Sequence, residues 1–115
     1  LIVDDSKMAR LMIGKLIREL RPDWRIAEAA NGADALAMIG EEPPAFVSLD
    51  INMPGMSGLE VAGRIRLHYP EIRIVICTAN IQDAVRKTAE KAGVKFVAKP
   101  ITPETITEMV GLFEE

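Results

Sequence analysis

The apolar run Leu1–Val3 stops abruptly at the acidic pair Asp4–Asp5. It reads as a short buried strand, because acidic residues form strands poorly and are costly inside a sheet. From Ser6 the apolar spacing changes to threes and fours at Met8, Leu11, Met12, Leu16 and Leu20. That spacing predicts a helix that buries this stripe and ends at Pro22.

The unit then recurs with variations. Arg25–Ala30 reads as an edge-type strand carrying Glu28, and Ala33–Ile39 as a short helix after Asn31–Gly32. Pro43–Pro44 breaks the chain before a strand at Ala45–Leu49 that runs into Asp50. The loop Ile51–Met56 contains a Pro-Gly pair, and Ser57 with Glu60 can cap the next helix reciprocally, up to Pro70. Ile72–Cys77 is apolar apart from Arg73, and Gln82–Ala92 has helical spacing at Ala84, Val85, Ala89 and Ala92 before Gly93. Val94–Ala98 is the fifth strand. Thr102, Pro103 and Glu104 form a helix start whose buried face is Ile106, Met109, Val110 and Phe113.

Five strands alternating with five helices favour parallel pairing through right-handed crossovers. The expected fold is an α/β doubly wound parallel sheet with helices on both faces, as one domain over residues 1–115. At 115 residues, 49% hydrophobic and 27% charged, the chain suits one domain with a real core. A formal charge of −3 offers no overall basic footprint, so direct nucleic-acid binding is not expected. Cys77 is the only cysteine, which excludes an intramolecular disulfide and any multi-cysteine metal site. No apolar stretch approaches the ~18 residues of a membrane span, and a cytoplasmic location is expected. The start inside an apolar run suggests a natural start further upstream.

In such sheets chemistry gathers beyond the carboxyl ends of the strands. There the sequence puts Asp4 and Asp5, Asp50, Thr78, and Lys99–Pro100. Three carboxylates crowded together need cationic partners to stay ionised. Lys99 and a hard, oxygen-ligated Mg²⁺ would supply them, with Mn²⁺ able to substitute. Cysteine and histidine are missing from these positions, which argues against zinc. An ionised aspartate is already a nucleophile, so attack on phosphorus needs charge neutralisation and in-line positioning more than an adjacent base.

Asp4–Asp5, Asp50 with Met53–Pro54 and Gly58, Thr78–Ala79 and Lys99–Pro100 together resemble the receiver domain of the two-component response-regulator family. The resemblance covers essentially the whole chain. It implies a flavodoxin-like (βα)5 fold with strand order 2-1-3-4-5. It implies Asp50 as phosphoacceptor, Asp5 as a direct metal ligand, Asp4 as a ligand directly or through water, and the Asn52 backbone carbonyl as another. Lys99 would bind a phosphoryl oxygen across a cis Lys99–Pro100 bond, and Thr78 would donate to another such oxygen with the Ala79 amide nearby. Phe96 takes the switch-aromatic position, where many relatives carry tyrosine. Asn52 and Asn80 would tune dephosphorylation. A sensor histidine kinase or histidine phosphotransfer protein would be the donor, and a downstream protein or an output domain outside this chain would read the switch.

Two other functions fit parts of the pattern. A haloacid-dehalogenase-like phosphatase also uses a strand-end aspartate with Mg²⁺, but the second acid of its Asp-x-Asp motif is here Asn52, which cannot act as a general acid. An interaction module that is never phosphorylated would not need the full acid, threonine and lysine set. Each residue alone reads as ordinary loop or core chemistry, and only the combination is specific. Met8, Met12, Met38 and Met109 are expected as core filler, Cys77 as core, and His68 as a helix C-terminal contact. Arg86, Lys87, Lys91 and Lys95 form a local basic bias, either a solvated face or a partner contact.

Overall fold

The computed structural model describes residues 1–79 and 82–115. Strands β1 (Ile2–Val3), β2 (Glu28–Ala29), β3 (Phe46–Leu49), β4 (Arg73–Thr78) and β5 (Lys95–Ala98) alternate with five helices. These are α1 (Lys7–Leu20), α2 (Gly32–Glu41), α3 (Gly58–His68), α4 (Asp83–Lys91) and α5 (Pro103–Phe113). All strand pairs are parallel, in the order β2-β1-β3-β4-β5. The expected α/β doubly wound, flavodoxin-like topology is therefore present.

Strand alternation sends successive side chains into two cores. Val3, Val47, Leu49, Ile74 and Ile76 face Ile39, Val61, Ile65 and Ala89 of α2, α3 and α4. Ile2, Val75, Cys77 and Val97 face Ile13, Ile17, Ile106 and Met109 of α1 and α5. Cys77 is core as expected, and its burial pushes the thiol up to about 11.

Local signals set the helix starts. The side chains of Ser6, Asn31, Ser57 and Thr102 each accept a hydrogen bond from the backbone N–H three residues on. The Ser57 cap is one-sided: its Oγ accepts from the Glu60 amide, and no return bond to the Glu60 side chain forms among the described residues. Gly93 adopts φ +75°, the left-handed conformation that ends α4 without a Cβ clash.

One helical face differs from expectation. In α1 the buried residues are Ala9, Ile13, Gly14 and Ile17. Met8, Leu11 and Met12 are exposed, and Leu16 and Leu20 are half-buried. The helix carries two apolar stripes, and the one with small residues faces the sheet. A Cβ at Gly14 would lie 3.6 Å from Ile2 Cδ1, so the sheet-facing side is where α1 comes close to β1. Met8 and Met12 are accordingly not core filler, whereas Met109 is. In α4 only Ala89 of the expected face is fully buried; Val85 and Ala92 are half-buried and Ala84 is exposed.

Candidate functional site

The carboxyl ends of β1, β3, β4 and β5 converge on one edge. Asp4 follows β1, Asp50 follows β3, Thr78 is the last residue of β4, and Lys99 follows β5. Asp4, Asp50 and Thr78 are buried, while Asp5 is exposed. Carboxylate oxygens of Asp4, Asp5 and Asp50 lie within 4.8 Å of one another.

Lys99 Nζ donates to Asp4 Oδ2 at 2.9 Å and lies 3.7 Å from Asp50 Oδ2. Asp4 Oδ1 accepts from the Ser6 amide at 2.9 Å, which ties the acid to the first turn of α1. The Thr78 hydroxyl lies close enough to the Asp50 carboxylate to favour its charged form. Lys99 N–H donates to Thr78 O at 2.9 Å, and the Lys99–Pro100 bond is cis.

Burial pushes the Asp50 carboxyl above its ordinary range. Thr78 and Lys99 pull it back, Asp4 adds to the rise, and the net shift is upward. Burial lowers Lys99, but the Asp4 and Asp50 carboxylates outweigh it and hold the ammonium above its usual value. The Lys99 ammonium thus serves two of the three clustered carboxylates. The donors are all hard oxygens and Cys77 is buried as a thiol, a set that fits Mg²⁺ and not a thiophilic ion.

Gly58 sets how closely α3 approaches the acceptor strand. A Cβ there would lie 2.0 Å from the Asp50 carbonyl oxygen, so only glycine fits. The Gly58 amide also donates to Ile51 O at 3.0 Å. The other expected residues are more peripheral. Asn52 is exposed in the loop after Asp50, Ala79 is exposed just beyond Thr78, and Pro100 is exposed after Lys99. Phe96 is half-buried in β5, with the Arg86 guanidinium 5.2 Å from its ring centroid. Asn80 lies outside the described residues.

One site neighbour, Arg10, had no sequence signal as such. Arg10 Nη1 donates to the Asp4 backbone oxygen at 2.7 Å, and Arg10 Nε donates to Glu28 Oε1 at 3.0 Å. The second contact spans eighteen positions and appears only once β1 and β2 are paired.

A doubly wound parallel sheet with this acidic edge defines the receiver class of regulatory domain, and the response regulator receiver domain family model matches residues 1–111. The chain belongs to that family, whose members are regulatory domains of two-component signalling. It is 36% identical to the chemotaxis protein CheY of Listeria monocytogenes over 110 residues, covering 94% of this chain and 91% of that protein. It is 32% identical to sporulation initiation phosphotransferase F of Bacillus subtilis, covering 96% of this chain and 88% of that protein. The structure of chemotaxis protein CheY4 of Vibrio cholerae superposes with a TM-score of 0.86 at 26% identity, over 96% of this chain and 92% of that one.

Proposed function

We propose that residues 1–115 act as one receiver domain, a phosphoacceptor switch in which Asp50 takes a phosphoryl group from a sensor histidine kinase or histidine phosphotransfer protein. The observation that carries the reading is the meeting of three carboxylates, an ammonium and a hydroxyl at one sheet edge. An Asp50 oxygen attacks phosphorus in line as the donor's P–N bond breaks, its electrons returning to the imidazole nitrogen. The product is an acyl phosphate on Asp50 and a free histidine on the donor.

Asp4, Asp5, Asp50 and the Asn52 backbone carbonyl would hold Mg²⁺, or Mn²⁺ in its place. Bound there, the ion supplies positive charge against the phosphoryl oxygens. Lys99, already shared between Asp4 and Asp50, turns its ammonium to a phosphoryl oxygen. Thr78 turns its hydroxyl to a second phosphoryl oxygen, and the Ala79 amide serves a third. That movement of Thr78 frees space for Phe96, whose ring leaves Arg86 at a cost of about 0.5–1 kcal/mol for an exposed cation–π contact. Water attack on phosphorus later breaks the bond to Asp50, releasing inorganic phosphate and restoring the carboxylate, at a rate tuned by Asn52 and, outside the described residues, Asn80. A downstream protein, or an output domain on a longer chain, reads the shifted population.

Incubation with acetyl phosphate or phosphoramidate and Mg²⁺ should add ~80 Da to the intact mass, one phosphoryl group. Chelation of the metal or Asp50→Asn should abolish the gain. An adduct that survives Asp50→Asn would contradict the assignment, and one that forms equally without Mg²⁺ would contradict the metal role.

A further inference from the structure

We infer that Arg10 and Glu28 are positioning residues for the acidic cluster, acting through the peptide between Asp4 and Asp5. The inference rests on the metal reading proposed above. Asp4 is fixed at every polar atom: its N–H donates to Ala29 O at 3.1 Å, and its two carboxylate oxygens accept from the Ser6 amide and Lys99 Nζ. Its carbonyl oxygen is taken by Arg10 Nη1 at 2.7 Å.

Asp5 differs. Its side chain is exposed, and no hydrogen bond or ion pair to the described residues holds it. Its direction is therefore set by the backbone it stands on, and the oxygen of the peptide leading into it is the one Arg10 grips. Glu28 Oε1 holds the same guanidinium from β2 at 3.0 Å. The Arg10 side chain is only 15% exposed, so the fork is confined between β1 and β2.

A guanidinium can serve both partners at once because its donors are rigidly divergent. A lysine ammonium keeps the charge but has no fixed fork to span the two. Glu28, which the sequence pattern singles out as an acid inside an edge strand, thereby acquires a reason to be there.

The test is calorimetric titration of Mg²⁺ into the intact chain at a temperature where every variant is folded by circular dichroism. Groups that orient metal ligands typically contribute about 10–100-fold in affinity. Arg10→Lys and Arg10→Gln should each weaken Mg²⁺ binding by about 10-fold. Glu28→Gln should weaken it less, and should add nothing in the Arg10→Lys background, because both changes release the same fork.

A purely electrostatic role makes the opposite forecast: Arg10→Gln, which removes a positive charge beside three carboxylates, would tighten Mg²⁺, and Arg10→Lys would leave it unchanged. Either result overturns the inference. If Arg10→Gln fails to fold, Arg10→Lys and Glu28→Gln decide alone. Wild type that takes up no Mg²⁺ would overturn the metal reading itself, whereas tight wild-type binding matched by Arg10→Lys would overturn only the positioning role.

Discussion

Burial raises the Asp50 carboxyl above its ordinary range despite the Thr78 hydroxyl and the Lys99 ammonium. An acid whose pKa is raised on folding favours the folded state most when protonated. Its contribution is complete below the ordinary aspartate pKa of about 4 and is lost as pH rises through the raised value. At neutral pH the ionised Asp50 thus lowers stability, a cost tolerated for reactivity. Asp50→Asn removes the charge and keeps the shape, while Lys99 retains its shorter contact to Asp4. In metal-free buffer at pH 7 the variant should melt about 2–5 °C higher than wild type. The gap should close near pH 3.5, where Asp50 is protonated in both states of wild type. Thermal melts at the two pH values check this, and a lower melting temperature at pH 7 would contradict it.

Elements whose signals are local were legible in the sequence. In α5 the Thr102 cap, Pro103 and the face of Ile106, Met109, Val110 and Phe113 all appear as expected. α1 was misjudged because Met8–Leu11–Met12 and Ala9–Ile13–Ile17 have the same period, and periodicity cannot tell which stripe meets the sheet. The consequence is measurable. Leu11→Ser should change unfolding free energy by less than about 0.5 kcal/mol, whereas Ile13→Ala should cost about 2–5 kcal/mol. Urea denaturation separates these outcomes, and comparable losses at both positions would return Leu11 to the core. The tight approach of α3 to β3 was equally hidden, since it is a distance between elements and not a pattern within one. Gly58→Ala should cost about 3 kcal/mol, because the new Cβ meets backbone and not a movable side chain. A change under about 1 kcal/mol would mean that α3 can withdraw from Asp50.

At the scale of the whole molecule, topology turns separate strand ends into one site. Asp4 and Lys99 are ninety-five positions apart, yet the strand order brings them to 2.9 Å. The site was largely legible in the sequence for this reason: once the alternation of strands and helices was read, the residue after each strand became a candidate, and Asp4, Asp50, Thr78 and Lys99 do meet. The support contributed by Arg10 was not legible, because it depends on pairings across elements; Gly58 stood among the motif residues, and only its close approach to Asp50 needed the fold. The central claim is that this convergence makes Asp50, and neither of its acidic neighbours, the acceptor. After reaction with phosphoramidate and Mg²⁺, borohydride reduces an acyl phosphate to the alcohol, so peptide mass mapping identifies the modified aspartate as homoserine. The account predicts homoserine at position 50 alone, dependent on Mg²⁺. Homoserine at position 4 or 5, or none anywhere, would contradict it.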